Sequence, residues 1–307
     1  MAPKIIITGA SGFIGTALSS LLHEKGYDVY ALSRHPGSAE GLNKNEIKIV
    51  GWDGRSARGW GEHADGALAI INLAGDNIAS GIWTNKKKKR ILESRLQVGE
   101  AVSQAINKAR QKPQVLIQAS AIGFYGSRGD EILDETSPAG NGFLAEVTEN
   151  WERSVRLDKN GPTRKVIIRI GIVLGKNGGL LSRVVVPFKL FVGGHMGSGR
   201  QWFSWIHLED LTRAILFLIE QQELSGTFNL TAPEPIKSNE FYQLVGKQLN
   251  RPSWFHLPAS LLRLALGDMA KEMLLPSQRV LPRNLTQAGY QFIYSGANKA
   301  LEQILKG

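Results

Sequence analysis

The sequence predicts an α/β fold, in which a doubly wound parallel sheet is followed by a smaller C-terminal α+β lobe. Three observations predict it. Short apolar runs alternate with amphipathic stretches through the first half, and the first run leads directly into glycines at 9, 12 and 15. After Gly171 the sequence pattern becomes irregular, and glycines are frequent in residues 175–199. The length of 307 residues suits one large domain or two unequal ones.

The elements follow in chain order. Short apolar runs predict parallel strands at Lys4–Thr8, Tyr27–Ser33, Ile47–Gly51, Ala67–Leu73, Gln114–Ser120 and Lys165–Gly171. Helical spacing of apolar residues predicts helices at Phe13–Lys25, Thr84–Ala109, Phe143–Leu157, Leu208–Glu220, Ser238–Leu249 and Pro258–Leu275. The run Thr227–Leu230 is predicted to return to the sheet as a further strand.

The turn after the first strand predicts a site for the pyrophosphate of a dinucleotide. Gly9 permits the tight turn, Gly12 lets the phosphates approach the backbone, and Gly15 lets the helix pack on the strand. Backbone N–H groups and the helix dipole favour an anion there, which is typical of the Rossmann arrangement. The expected cofactor contacts are therefore Gly9, Ser11, Gly12, Phe13, Ile14 and Gly15. A turn that serves packing alone is the alternative.

The end of the second strand indicates which dinucleotide binds. An acidic residue there would bind the ribose 2′-hydroxyl of NAD, whereas an arginine accommodates the 2′-phosphate of NADP. This chain has Ser33 and Arg34, and Asp28 lies at the opposite end of the strand. Guanidinium groups bind phosphate through two charge-assisted hydrogen bonds. The sequence therefore predicts NADP; a solvated loop arginine is the alternative.

Other residues are predicted to contact the cofactor because ligands of such sheets bind beyond the carboxyl ends of the strands. Those positions are Trp52, Asp53, Leu73, Ala74, Gly75 and Gly171. On these grounds, residues 1–171 together with 206–232 are predicted to form the dinucleotide-binding domain. Residues 172–205 and 233–307 are predicted to form a smaller lobe on the substrate side.

Composition excludes several classes of protein. The chain has no cysteine, and its six histidines are far apart in sequence, so neither disulfides nor a metal site is expected. The first predicted strand begins at residue 4 and no apolar run is long enough to span a bilayer, so we expect a cytoplasmic protein without a membrane partner.

The net charge of +10 raises the question of an anionic partner. The densest cluster, Lys86–Arg90, opens a predicted helix, where cations oppose the helix dipole. A solvated helix start is the plainer interpretation, so nucleic acid is not an expected partner.

Several motifs together resemble the extended short-chain dehydrogenase/reductase superfamily. They are the Gly9–Gly15 turn, Asn72-Leu73-Ala74-Gly75, Ser120-Ala121-Ile122-Gly123-Phe124-Tyr125-Gly126, Arg169–Gly175 and Trp205–Leu211. A narrower resemblance is to the NAD(P)-dependent epimerase family of the bacterial YfcH type, through Ser94-Arg95-Leu96, Trp151-Glu152, Gly197–Gln201 and a C-terminal extension. That resemblance implies that Ser33, Arg34 and Arg95 bind NADP. A helix-surface ion pair is the alternative for Arg95. The family resemblance leaves the oligomeric state open between a monomer and a homodimer.

The chain departs from the superfamily where catalysis is expected. Ordinary members use a Tyr four residues before a Lys to pass a proton as hydride moves. Aligning Trp151-Glu152 places Leu144 near the Tyr position and Thr148 near the Lys position, and neither does that chemistry.

The remaining candidates for catalysis are Ser120 and Tyr125, with packing of the loop as the alternative for Tyr125. Arg200 is a candidate for an anionic substrate group and Trp202 for stacking on a ring, with lobe packing as the alternative. Two functions stay open at this point: an NADP-dependent oxidoreductase or epimerase acting on an unidentified small molecule, and a non-catalytic NADP(H)-binding sensor.

Overall fold

The computed structural model describes residues 2–38, 42, 47–158, 161–176 and 178–307. The strands run Lys4–Thr8 (β1), Asp28–Ser33 (β2), Lys48–Gly51 (β3), Ala69–Asn72 (β4), Val115–Ala121 (β5), Ile132–Leu133 (β6), Arg164–Ile170 (β7), Ile172–Leu174 (β8), Gly194–Met196 (β9), Trp202–Phe203 (β10), Trp205–His207 (β11), Gly226–Leu230 (β12), Ile236–Lys237 (β13), Phe255–Leu257 (β14) and Arg279–Val280 (β15).

Seven of these strands form one parallel sheet in the order β3-β2-β1-β4-β5-β7-β12. The chain first places β2 and β3 on one side of β1. It then places β4, β5, β7 and β12 on the other side. The reversal leaves a crevice at the carboxyl ends of β1 and β4, the place where doubly wound sheets bind their ligands. The predicted fold class is confirmed.

The α-helices run Phe13–Glu24 (α1), Asn85–Lys108 (α2), Phe143–Ser154 (α3), Leu181–Lys189 (α4), Leu208–Glu220 (α5), Ser238–Leu249 (α6), Ala259–Leu266 (α7), Arg283–Gln287 (α8) and Ala297–Lys306 (α9). One prediction was wrong: the helix expected over Pro258–Leu275 ends at Leu266. Gly267 has a positive φ of 54°, and the chain then forms a separate π-helix over Ala270–Leu274.

Helices cover both faces of the sheet. Ile5 and Ile7 point toward α1 and α5, Ile6 points toward α2, and all three isoleucines are fully buried. Strands buried on both faces have near-continuous apolar sequences, which is why β1 lacks the alternation of a half-exposed strand. Burial of this kind fixes the strand register and therefore where the turns at its carboxyl end lie.

Short strand pairs lie outside the central sheet: β9 pairs with β14 and β10 with β13 within the smaller lobe, and β8 pairs with β11. The pair of β6 with β15 joins residues 132–133 to the C-terminal part of the chain. The core of the smaller lobe contains Phe188, Trp205, Phe241 and Leu301. In the described part of the chain, the helices are too short or too polar to cross a bilayer. The boundaries of the two domains stay a prediction.

Candidate functional site

A row of buried polar side chains joins the carboxyl ends of β1 and β4 to the middle of β5. Thr8 Oγ1 donates to Asn72 Oδ1 (2.7 Å), and Asn72 Nδ2 donates to Gln118 Oε1 (2.9 Å). Thr8 Oγ1 also accepts from the backbone N–H of Ala74 (3.2 Å). Because all three side chains are fully buried, these bonds hold the turn after β1 beside the turn after β4.

The glycine turn after β1 has the close packing that its sequence predicts. Gly9 has φ +71°, and a Cβ on it would lie 3.0 Å from the backbone N of Ala74. A Cβ on Gly15 would lie 2.3 Å from the carbonyl oxygen of Gly9, so α1 can approach the turn only with glycine there.

The first turn of α1 is free to receive an anion. Gly12 is its N-cap, with no side-chain cap and no acidic residue in the first turn. Ser11 and Gly12 are both exposed. A phosphate would therefore meet unoccupied N–H groups and the positive end of the helix dipole, so these residues fit a dinucleotide pyrophosphate.

The Phe13 ring packs against the segment that follows β8 and so links the glycine turn to that segment. A Cβ on Gly178 would lie 2.3 Å from the Phe13 ring, and a Cβ on Gly175 would lie 2.8 Å from it. Larger residues at these two positions would displace the ring. Phe13 and Ile14 are partly buried, so their side chains serve packing while their backbone opens α1.

Ser33 and Arg34 lie at the carboxyl end of β2, next to the glycine turn. Ser33 Oγ is buried and accepts from the backbone N–H of His35 (3.2 Å). The exposed Arg34 side chain lies against Gly54, where a Cβ would be 3.0 Å from Arg34 Cδ. Within the described residues Arg34 has no ion pair or hydrogen bond, so its guanidinium is available to a ligand.

Asp53, a predicted cofactor contact in the loop after β3, is bonded within its own loop. Asp53 Oδ1 accepts from the backbone N–H groups of Arg55 (2.8 Å) and Ser56 (2.9 Å), and Oδ2 accepts from the Ser56 hydroxyl (2.7 Å). These bonds, the Ser56 hydroxyl foremost, hold the pKa of Asp53 below its usual value. Trp52 donates its indole N–H to the carbonyl of Ser56 (2.6 Å). Their predicted contacts with the cofactor stay a prediction.

Arg95 lies beneath the turn after β4, where Leu73 and Ala74 lead into Gly75. A Cβ on Gly75 would lie 3.0 Å from Arg95 Cζ. Its Nη1 donates to the carbonyls of Ile91 (2.9 Å) and Asp76 (3.2 Å), and the guanidinium lies 4.7 Å from the centre of the Trp151 ring. Burial lowers the pKa of Arg95 to about 10. Arg95 is therefore not the surface ion pair given as its alternative; its contact with NADP stays a prediction.

The basic run Lys86–Arg90 is mostly paired. Lys87 is buried, and its Nζ donates to Asp76 Oδ2 (2.6 Å), the Asn77 carbonyl (2.8 Å) and Ser80 Oγ (2.9 Å). Arg90 also binds Asp76, and Lys88 binds Asp268. The interpretation of the run as a solvated helix start is wrong at Lys87, which fixes the loop after β4.

Ser120 and Tyr125, predicted as catalytic, both belong to a buried polar network. Ser120 Oγ donates to Glu152 Oε1 (2.7 Å), and Arg169 binds both carboxylate oxygens of Glu152 (2.8 and 3.0 Å). Arg169 Nη1 donates to Tyr125 Oη (3.0 Å), and Tyr125 donates to Asn229 Oδ1 (2.7 Å).

This placement favours a structural role for both candidates. Tyr125 is fully buried, and burial raises its pKa to about 12. Ser120 is 2 % exposed. Sequence reasoning missed the ion pair between Glu152 and Arg169 at the centre of the network. The available signal was Arg169, which stands between isoleucines in the strand 164–170, because buried charges require a partner.

The positions that hold Tyr and Lys in ordinary members carry no substitute. Thr148 Oγ1 is hydrogen-bonded to the carbonyls of Leu144 (2.8 Å) and Ala145 (2.9 Å) within α3. The Leu144 side chain lines a cavity of about 450 Å³ between α3 and the smaller lobe.

The predicted substrate residues lie in the smaller lobe. Arg200 is exposed. Trp202 donates its indole N–H to Asp130 Oδ1 (2.6 Å), and its ring centre lies 4.0 Å from Lys237 Nζ and 4.3 Å from Arg279 Cζ. With these contacts, the ring serves to join the lobes.

Gly171 joins β7 to β8, and a Cβ there would lie 2.9 Å from the Ser204 carbonyl. It therefore permits close crossing of strands, and its contact with a cofactor stays a prediction. The described residues contain no group of three or more His, Asp or Glu arranged for a metal ion.

Fold and site together define a class: an α/β protein of the dinucleotide-binding type with a smaller C-terminal lobe. Residues 5–231 match the model of the NAD dependent epimerase/dehydratase family, and residues 257–304 match a domain of unknown function, DUF1731. The chain belongs to the NAD dependent epimerase/dehydratase family.

Relatives of similar length support this assignment. The chloroplastic SDR39U1 homolog of Arabidopsis thaliana is 38% identical over 98% of this chain and 86% of its own length. YfhF of Bacillus subtilis is 35% identical over 98% of both chains. The crystal structure of human SDR39U1 (isoform 2) with NADPH superposes with a TM-score of 0.89, at 32% identity, and covers 99% of both chains.

Proposed function

We propose that the protein binds NADP(H) in preference to NAD(H), along the Gly9–Gly15 turn and with the 2′-phosphate at Ser33 and Arg34. The observation that carries this proposal is the guanidinium of Arg34, which has no partner among the described residues and lies at the end of a strand that offers no acid to a ribose hydroxyl. The NADPH in the human relative supports it. Cytoplasmic location and a monomeric or homodimeric state stay predictions.

We propose further that the bound cofactor serves an oxidoreductase or epimerase reaction on a small molecule. NADP(H), when bound, supplies or accepts a hydride. The chain itself would orient the substrate in the cavity beside Leu144 and keep water from it with the smaller lobe. Membership of the epimerase family supports this class of reaction.

The cofactor proposal is tested by titrating the protein with NADPH and NADH. NADPH is expected to bind more tightly, and Arg34→Ala should remove roughly tenfold to a hundredfold of NADPH affinity while leaving NADH unchanged, because a charge-assisted contact is lost. Arg156→Ala, which removes an exposed arginine elsewhere, is the matched control. Equal affinity of the unmodified protein for both cofactors would overturn the proposal.

A specific observation favours a second candidate, a non-catalytic NADP(H) sensor. Leu144 and Thr148 occupy the acid–base positions, and Ser120 and Tyr125 are hydrogen-bonded inside the protein. Incubating the protein and a metabolite extract with NADPH deuterated at C4 separates the two functions. Protein-dependent deuterium in a product, measured by mass spectrometry, indicates a reductase. A protein-dependent change in the isomer composition of the extract with NADP⁺ indicates an epimerase, and tight cofactor binding with neither change indicates a sensor.

A further inference from the structure

We infer that an exposed apolar patch on the smaller lobe, formed by Leu190, Phe191, Val192, Trp254 and Phe255, attaches the protein to the surface of an anionic membrane. The inference does not depend on the proposed function, because the patch contains no residue predicted to bind the cofactor or the substrate. The sequence predicts no membrane partner because no segment is long enough to span a bilayer, and attachment to a lipid surface requires no such segment.

The first part of the patch lies at the end of α4. The Phe191 N–H donates to the carbonyl of Phe188 (3.0 Å), and the Val192 N–H donates to the carbonyl of Pro187 (3.0 Å). These two bonds form a Schellman motif, in which the residue in the left-handed conformation is usually glycine. Here that residue is Phe191, with φ +62°, and its side chain is 53 % exposed. Backbone strain at an exposed aromatic residue is typical of a functional position.

The second part of the patch comes from β14 and is held against the first. Trp254 donates its indole N–H to the carbonyl of Phe191 (3.0 Å), and the Phe255 N–H donates to the carbonyl of Gly193 (3.1 Å). A Cβ on Gly194, in the paired strand β9, would lie 1.6 Å from the Phe255 carbonyl oxygen, so only glycine permits this approach. Because its polar group is already bonded, the 67 % exposed Trp254 side chain presents an apolar surface.

Helix α7, which begins shortly after β14, adds to this apolar surface. Leu261 and Leu264 are three residues apart, so they lie on the same face of the helix, and both are exposed. Within the described residues, eight of the eleven exposed large apolar side chains lie in residues 186–192 and 254–264. They are therefore concentrated on this lobe, whereas singly scattered apolar residues are normal for a protein surface.

The segments that form the patch carry cations and no carboxylate. Residues 159–208 and 241–267 contain no Asp or Glu. Lys189 and Arg263 are exposed, and the Arg251 guanidinium lies 4.4 Å from the centre of the Phe191 ring. None of these three cations forms an ion pair within the described part of the chain. Apolar side chains accompanied by unpaired cations match the acyl boundary and the negative headgroups of an anionic membrane.

The same observations disfavour other occupants. A second copy of the chain would bring the same cations against these, and like charges repel. A nucleic acid would stack on aromatic rings, but five of the eight apolar side chains are aliphatic. The side chains that anchor a protein partner usually lie in well-packed pockets, whereas Leu190 and Leu264 project with 68 % and 85 % of their area exposed.

The test is a flotation assay of the full chain with two kinds of vesicle: phosphatidylcholine alone, and phosphatidylglycerol with phosphatidylcholine in equal parts. We expect saturable binding to the anionic vesicles, weaker at high salt because salt screens exposed charges. Phe191→Gly/Trp254→Ala should weaken this binding at least about tenfold by removing two apolar contacts. Ile82→Ala/Ile293→Ala, which removes two exposed apolar side chains elsewhere, is the matched control and should change it less than about twofold.

Two further measurements separate attachment from a loss of folding. Glycine suits the left-handed conformation at residue 191, so thermal unfolding of the patch variant should match that of the control. Lys189→Glu should weaken vesicle binding several-fold, whereas Lys299→Glu, a charge reversal at an exposed lysine elsewhere, should have little effect.

Three results would overturn the inference. The first is no binding of the unmodified protein to anionic vesicles, and the second is equal weakening in the patch variant and its control. The third is self-association of the unmodified protein that the patch variant loses, without vesicle binding, since light scattering would then assign the patch to a second copy of the chain.

Discussion

The carboxyl ends of β1 and β2 differ sharply from those of β5 and β7. At the first pair, the functional groups are free: the first turn of α1 has no side-chain cap and Arg34 has no partner among the described residues. At the second pair, Ser120, Glu152, Arg169 and Tyr125 are all bonded to one another and buried. One pair is open to a ligand and the other is closed by its own side chains.

From this difference we expect that mutations can separate cofactor binding from any effect on the Ser120–Tyr125 network in this chain. The superfamily to which the chain bears a resemblance combines both at neighbouring strand ends. Here Ser120 and Tyr125, near the end of β5, are hydrogen-bonded inside the protein, and most of the charged residues that line the cavity come from the C-terminal segment. The predictions below test that separation.

The largest effect is expected from breaking the closed network at its ion pair. Glu152→Gln leaves the Arg169 guanidinium buried with only partial compensation and should lower the free energy of unfolding by about 3–5 kcal/mol. Chemical denaturation measures the change. NADPH affinity of the folded fraction should be unaffected, and a strong loss of affinity would show that the two regions are coupled.

A steric block at the Gly9–Gly15 turn should instead lower cofactor affinity and leave the stability of the fold unchanged. Gly12 has φ −79°, which valine can adopt, so Gly12→Val should preserve the fold yet reduce NADPH affinity about a hundredfold or more by blocking several N–H contacts. Gly12→Ala should have a smaller effect. The assignment of the turn would fail if a folded Gly12→Val protein gave an unchanged NADPH titration.

Tyr125→Phe distinguishes a catalytic from a structural role of Tyr125, because the sequence pattern and the geometry predict different roles for this residue. A proton donor would lose at least about tenfold in turnover on this change. The geometry instead predicts a loss of about 1–3 kcal/mol in unfolding free energy, since the Asn229 acceptor and the Arg169 donor lose their partner. Turnover in the deuterium assay should then stay within about twofold, and a larger fall would restore Tyr125 to the mechanism.

The smallest expected effect concerns Arg95. Because its guanidinium supports the Gly75 turn from below, Arg95→Lys should weaken NADP⁺ and NAD⁺ binding by similar factors, with their ratio kept within about twofold. Arg34→Ala, by contrast, should change that ratio. A selective loss of NADP⁺ affinity in Arg95→Lys would mean that Arg95 reaches the 2′-phosphate.

Local patterns were enough to predict the sheet, most helices and the glycine turn. The apolar runs that become β1 and β4 are buried on both faces, so hydrophobicity alone identifies them. The tight packing of Gly9 and Gly15 was likewise implied by their spacing after a strand. The family-specific motifs correctly predicted an epimerase-type protein.

What escaped prediction depends on contacts between distant parts of the chain. The Tyr125 hydroxyl faces inward because it donates to Asn229. That acceptor is 104 residues away in sequence, so no local pattern predicts the contact. Lys87 is buried because the loop after β4 folds back over it. The cavity wall of Arg263 and Lys271 arises only when the C-terminal segment docks against α3.

The position of β12 has a consequence for how the protein is made. This strand lies at the edge of the sheet beside β7, yet its residues 226–230 are synthesised well after β7 is complete. Until the later segment leaves the ribosome, a nascent chain therefore presents the unpaired edge of β7. The Arg169 side chain is not yet fully enclosed at that stage. Such edges are where partly folded chains associate with one another, so translation speed across residues 171–230 becomes a determinant of yield.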